Sequence, residues 1–296
     1  MFTGLSAFPL TPLDDDRFDE HAYAGLVTRL VDAGVDSIGA LGSTGSYAYL
    51  DRDERRRVAR ATVRLAGGTP VIVGVGALRT SHVRALVEDA QEAGAAGVLL
   101  APMSYQALTE DEVFGLYEDV TADLSVPLVV YDNPGTTHFA FSVELYARVA
   151  ALPNVAAIKI PPVPSDPAAA RAHVAAISEA IPAHVRIGVS GDGAAATGLN
   201  AGCRSWFSVV GGTVPEAVLP LVRAALGGDP ATATAESARL RPLWDLFAAH
   251  GSLRVTAAIA EHLGLVAPRC LPRPVQGLGT AQRAQVARVV RELRLR

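Results

Sequence analysis

The chain has 296 residues, half of them apolar, which suffices for a large buried core in one big domain or two modest ones. A net charge of −4 and a pI near 6.0 exclude the basic footprint of a nucleic-acid-binding protein. The two cysteines, Cys203 and Cys270, lie too far apart to read as a disulfide framework or a zinc cluster. No uncharged apolar run reaches the roughly 18 residues of a membrane span, and residues 1–5 do not open a basic-then-apolar leader, so a soluble cytoplasmic protein is expected.

Along the chain, short β-branched or apolar runs alternate with amphipathic segments. A strand is expected at 5–10, then a helix at 18–33; a strand at 37–41, then a helix at 51–65; a strand at 69–75, then a helix at 81–93. The pattern continues with strands at 97–101, 126–131, 155–160, 185–189 and 205–210, each followed by a helix, at 110–123, 142–151, 167–180, 193–200 and 215–226. Ala33-Gly34, Ala93-Gly94 and Ala201-Gly202 each end a helix just before a strand, with glycine where a left-handed residue closes the helix. Eight strand–helix units at about 28 residues each have the density of a (β/α)8 barrel, whose strands, buried on both faces, read as continuous apolar runs. The competing doubly wound sheet lacks its nucleotide fingerprint, since Val73-Gly74-Val75-Gly76 has no third glycine in register. Residues 1–226 are therefore read as the barrel. Residues 227–296 are read as a helical appendix of three helices, about 231–249, 253–263 and 280–293, with an extended proline-rich link at 267–274.

The stretch 155–160, Val-Ala-Ala-Ile-Lys-Ile, carries the most pointed chemistry. Of the 26 basic residues, Lys159 is the one lysine. Guanidinium stays protonated in proteins, whereas an amine in apolar surroundings gives up its proton and attacks carbonyls, so a unique lysine inside a core strand suggests a Schiff base. The alternative is a strand-end lysine whose head reaches water.

Barrel sites are built at the C-terminal ends of strands. After the second strand, Gly42-Ser43-Thr44-Gly45-Ser46 offers backbone N–H and hydroxyl groups to an anion the size of a carboxylate, or is an ordinary turn capped by Ser46 or Asp51. After the fifth, Tyr131 precedes Asp132-Asn133-Pro134-Gly135-Thr136-Thr137-His138; its phenol either passes protons or is simply packed. Asp132 and His138 could pass for a catalytic pair, but no serine or cysteine sits in a nucleophile elbow. After the seventh, Ser190-Gly191-Asp192-Gly193 allows close backbone approach to a ligand, with Asp192 capping a helix or contacting substrate hydroxyls. His, Asp and Glu do not cluster at metal spacing, so no metal is expected.

Together, Gly42-Ser43-Thr44-Gly45, Tyr131 with Asn133-Pro134, Ile158-Lys159 and Ser190-Gly191-Asp192 resemble the dihydrodipicolinate synthase / N-acetylneuraminate lyase family, in order and over about residues 3–226. The resemblance implies a (β/α)8 barrel, usually tetrameric, that forms a Schiff base between Lys159 and a 2-oxo acid such as pyruvate without a cofactor. It implies that Ser43, Thr44 and Gly45 hold the 2-oxo acid carboxylate, that Tyr131 shuttles protons, and that Phe207 packs near the bound pyruvate. Tyr105 is the candidate for a second shuttle tyrosine donated across a subunit interface, one residue out of the usual spacing. The arginine with which the lysine-pathway synthases grip the aldehyde's carboxylate corresponds to Thr136, close to His138. The usual glutamate after the Gly-Ser/Thr-Thr-Gly loop is Ser46, and the usual acidic residue after the lysine gives way to Ile160-Pro161-Pro162. Loss of the bidentate donor argues for a related aldolase or lyase with another acceptor. The synthase itself, a keto-deoxy sugar acid aldolase or dehydratase, and a barrel that binds 2-oxo acids without turnover are the alternatives.

Overall fold

The computed structural model describes residues 2–296; Met1, part of the segment read for a leader, lies outside the described residues. Eight parallel strands close into a barrel: β1 (Gly4–Ala7), β2 (Ser37–Ala40), β3 (Val71–Gly74), β4 (Gly97–Leu100), β5 (Leu128–Tyr131), β6 (Val155–Ile160), β7 (Arg186–Val189) and β8 (Ser205–Ser208). Closure comes from the pairing of β1 with both β2 and β8, with Ser6 opposite Ser37 and Phe207. The helices α1 (Glu20–Ala33), α2 (Arg52–Leu65), α3 (Thr80–Glu92), α4 (Glu110–Thr121), α5 (Val143–Ala150), α6 (Pro167–Ala180), α7 (Ala195–Asn200) and α8 (Leu219–Leu226) follow the strands in turn. This is the (β/α)8 barrel expected. Among the described residues no helix is long and apolar enough to cross a membrane.

Local chemistry sets the helix limits. Asp19, Asp51, Thr109, Ser142 and Asp166 each accept a backbone N–H of the first turn, and in α2 and α4 a glutamate at the third position returns the bond. Gly34 closes α1 at φ +71, its N–H bonded to the carbonyls of Leu30 and Val31, as the Ala-Gly joint predicts.

Four expectations need correction. The first strand stops at Ala7, because Pro9 has no N–H to give to the ladder. The segment after β8 turns into a 3-10 helix at Val210–Gly212 instead of extending the strand. The 231–249 helix is two helices, α9 (Pro230–Arg239) and α10 (Arg241–His250), so that the appendix has four with α11 (Ser252–His262) and α12 (Thr280–Glu292). Pro242 cannot donate the bond that would carry α9 onward, and the chain restarts around Leu240. Leu13–Asp14 and Arg17–Phe18 pair as a short antiparallel ribbon, so Phe18 belongs to it and α1 begins at Glu20, not at 18.

Side chains alternate between two cores. Leu5, Ile38, Val73, Leu100, Val130, Ile158 and Trp206 face the helix layer. Phe8, Ile72, Leu99, Val129, Tyr131, Ala157 and Phe207 fill the barrel interior. Two interior glycines make room for the rings: a Cβ on Gly39 would lie 2.3 Å from the Phe8 ring, and one on Gly188 would lie 2.4 Å from Phe207 Cε2 and 2.2 Å from Ser205 Oγ. Phe8 and Phe207 meet edge-on at 6.0 Å between centroids.

In β6, Val155 pairs with Leu128, but Ala157 pairs with Val129, so Ala156 is an extra residue at a bulge. The insertion reverses the alternation. Val155 faces the helices, and past the bulge Ala157 and Lys159 face the barrel interior.

Gly188→Ala is expected to destabilise the protein by about 1–3 kcal/mol, since the new methyl must displace Phe207 in a filled core. A lowered midpoint in denaturant unfolding at unchanged slope checks this; wild-type stability would contradict the packing described.

Candidate active site

One cavity of about 810 Å³ opens at the C-terminal ends of the strands. Its floor is Lys159, which is 5 % exposed. The Nζ lies 3.8 Å from the Tyr131 ring centroid, 4.4 Å from that of Phe8 and 5.5 Å from that of Phe207. Register explains the closest pair, because Tyr131 and Lys159 are direct cross-strand partners pointing the same way. Among the described residues no carboxylate lies within salt-bridging distance of this amine.

The Tyr131 hydroxyl accepts from Asn133 Nδ2 at 2.8 Å and lies 3.3 Å from Ser43 Oγ. With the amide donating to the phenol oxygen, the phenol's own proton is free to point at Ser43 or into the cavity. Ser43 and Thr44 sit in a contorted turn in which two non-glycine residues, Leu41 (φ +57) and Ser46 (φ +54), are left-handed. Behind this turn, Arg55 is buried, donating to the carbonyls of Gly74 and Gly76 and lying over the Tyr47 ring at 5.3 Å. Burial lowers the Arg55 guanidinium to about 10 and raises the Tyr47 phenol to about 12. Tyr47 is also one of the residues lining the cavity.

Of the residues expected at the site, Ser43, Thr44, Tyr131, Thr136, Lys159, Gly191, Asp192 and Phe207 line this one cavity. Three do not. Gly45 lies behind the wall, where a Cβ would come within 3.1 Å of the Leu41 backbone nitrogen, so its smallness serves the turn. His138 is exposed, in the left-handed residue closing the one-turn helix Pro134–Thr137, and does not reach the cavity. Tyr105 is 91 % exposed and away from the cavity of its own chain.

Asp132 has no part with His138 either. It follows Tyr131, so it points to the helix layer, where it accepts from the buried Tyr146 hydroxyl at 2.5 Å; burial raises both groups. Asp192 touches the cavity wall, yet its oxygens are already engaged by Trp206 Nε1 (3.0 Å), Val209 N–H (3.1 Å) and Val210 N–H (2.9 Å). It is a clamp on the end of β8 and not a free ligand for substrate hydroxyls. Burial raises its carboxyl, and these bonds oppose the shift. Gly191, at φ +80, packs its bare Cα against Pro162, where a Cβ would come within 2.4 Å of Cγ.

The sequence reading missed Asn133 as the partner of Tyr131, although it stands two residues away, and it missed Phe8, Tyr47, Met103, Trp244 and Phe247 on the wall. Among the described residues no group of three His, Cys, Asp or Glu could hold a metal.

The chain as a whole is similar to known proteins. The model described as the dihydrodipicolinate synthetase family matches residues 1–293. The chain belongs to that family. Within it, the chain is 31 % identical to a 4-hydroxy-tetrahydrodipicolinate synthase of Phenylobacterium zucineum (strain HLK1), over 99 % of this chain and 97 % of the relative. It is 33 % identical to the enzyme of that name from Halorhodospira halophila (strain DSM 244 / SL1), with the same two coverages. The crystal structure of a dihydrodipicolinate synthase from Agrobacterium tumefaciens str. C58 superposes with a TM-score of 0.95 at 42 % identity, covering 99 % of this chain and 98 % of that one.

Asp192→Asn keeps the shape but sets an amide N–H against a backbone donor. A loss of about 1–3 kcal/mol in unfolding free energy is expected; an unaltered denaturation midpoint would contradict the clamp.

Proposed function

We propose that this protein is a class I lyase or aldolase that forms a Schiff base between Lys159 and pyruvate or a related 2-oxo acid. The observation that carries the reading is the buried Lys159 amine lying against the Tyr131 ring at the floor of the cavity. The deprotonated amine attacks the C2 ketone, and Tyr131 supplies the proton that lets the carbinolamine oxygen leave as water. Asn133 and Ser43 hold the phenol in place. The iminium that results is a cation enclosed by the Tyr131, Phe8 and Phe207 ring faces, which favour positive charge. Ser43 and Thr44 take the 2-oxo acid carboxylate. The iminium then draws electrons from the C3–C4 bond in cleavage, or yields an enamine that attacks an aldehyde in condensation. No cofactor is required. Residues 1–226 carry this chemistry, and residues 227–296 contribute to the outer wall through Trp244 and Phe247.

The reading extends to a cytoplasmic homo-oligomer. Cys203 and Cys270 are buried free thiols, as a reducing compartment allows. Tyr105, solvated in its own chain, enters a proton relay only by reaching the cavity of another copy.

Sodium borohydride with pyruvate should add a reduced adduct to the protein mass, mapped to Lys159 by peptide digestion. An unchanged mass would overturn the mechanism. Tyr131→Phe should lower turnover by about a hundredfold or more, the usual weight of a positioned proton donor. Undiminished turnover would remove the phenol from the mechanism, and a variant inert toward every aldehyde but still trapping pyruvate would be expected of a binding barrel only if the wild type were inert too.

A further inference from the structure

We infer that the acceptor end of the cavity takes an uncharged aldehyde bearing an apolar, chiefly aromatic, group; the inference rests on the Schiff-base reading above and names the partner of the 2-oxo acid.

A cavity of about 810 Å³ is in the range that encloses a drug-sized ligand, far more than a three-carbon acid fills. Its charged lining residues are Lys159 and Asp192 and no others. Lys159 is committed to the ketone, and Asp192 is held by three donors. A second carboxylate or a phosphate on the acceptor would thus enter without a cation to receive it, at the full cost of desolvating a charge.

Near Asn133 and Ile160 the polar wall is largely engaged: Thr136 and Thr137 donate to the Asn133 carbonyl and Ser190 to that of Ile160, so these three hydroxyls have only lone pairs to offer a ligand. The wall above the lysine is instead made of flat and apolar side chains: Tyr49, Met103, Trp244, Phe247 and Leu253. Trp244 and Phe247 stand 5.9 Å apart, tilted at 56°, and the Trp244 N–H is bonded back to the Ser237 carbonyl, so its apolar face is what remains for a ligand.

The chemistry balances without another reactant. Loss of a C3 proton from the iminium yields the enamine; its C3 forms a bond to the aldehyde carbon; the aldehyde oxygen takes up one proton; and water releases the 4-hydroxy-2-oxo acid from Lys159. In reverse the same bond breaks.

The test supplies pyruvate with benzaldehyde, succinic semialdehyde or D-glyceraldehyde, and measures pyruvate consumption with mass-spectrometric detection of the adduct. Benzaldehyde is expected to show a kcat/KM at least about tenfold above succinic semialdehyde, since one unmatched charge is worth that much or more, and above D-glyceraldehyde, which buries hydroxyls against the apolar wall where benzaldehyde buries a ring. Phe247→Ala should lower the benzaldehyde value by about tenfold, mainly through KM. Borohydride trapping with pyruvate alone, done first on the wild type, keeps the two readings apart. No adduct overturns the Schiff-base reading and this inference together. An adduct at Lys159 with equal or better use of succinic semialdehyde or D-glyceraldehyde overturns the acceptor assignment alone.

Discussion

The pairing of Tyr131 with Lys159 depends on one inserted residue. Strands β5 and β6 start in register with Leu128 opposite Val155, both facing the helices. Had the ladder run on evenly, Lys159, two pleats from Val155, would also face the helices, in the outer apolar core. Ala156 breaks the count and turns the second half of β6 over. The amine then lies at the barrel mouth against three aromatic faces, and the isoleucines on either side of it keep the outer core filled. A bulge beside a site is a device for aiming a side chain, and here it aims the only amine of any side chain in the protein.

Around that pair, buried charges serve as fasteners for backbone. Arg55 bonds to the carbonyls of Gly74 and Gly76 at the end of β3, and Asp192 to N–H groups just past β8, so these two strand ends beside the cavity are each held by a buried ionisable group. Their cost in desolvation is visible in the directions of their shifts: the guanidinium is lowered and the carboxyl raised. Such groups rigidify a site when every partner is present. Glycine does the complementary work inside the barrel, where Gly39 and Gly188 leave space for Phe8 and Phe207 to reach the lysine.

The division of labour within the cavity follows from chain order. Residues proposed to handle the 2-oxo acid come from the strand ends of the barrel, which is where a (β/α)8 fold concentrates its loops. The outer walls of the cavity come in part from α10 and α11, beyond the barrel, and these can vary without disturbing the strand ends that carry the proposed imine chemistry. A family member can therefore keep the lysine, the phenol and the hydroxyl turn while changing the partner of the 2-oxo acid.

By itself, the sequence determined the eight-fold rhythm and most helix ends, and it singled out Lys159 and Tyr131, because apolar period, capping residues and a lone amine are local or compositional signals. Asn133 was legible too, standing in the same short motif as the tyrosine it bonds. The break at Pro242 was also within reach of local rules, though a continuous apolar pattern hid it. Tertiary structure alone decided which way Lys159 faces, since a bulge exists only relative to a neighbouring strand. It also decided that Asp192 is consumed by Trp206, Val209 and Val210 and that His138 turns to solvent. The aromatic wall of Trp244 and Phe247 was beyond sequence for the same reason: residues far apart along the chain become neighbours only when helices pack across the mouth of the barrel, and no periodicity encodes that distance.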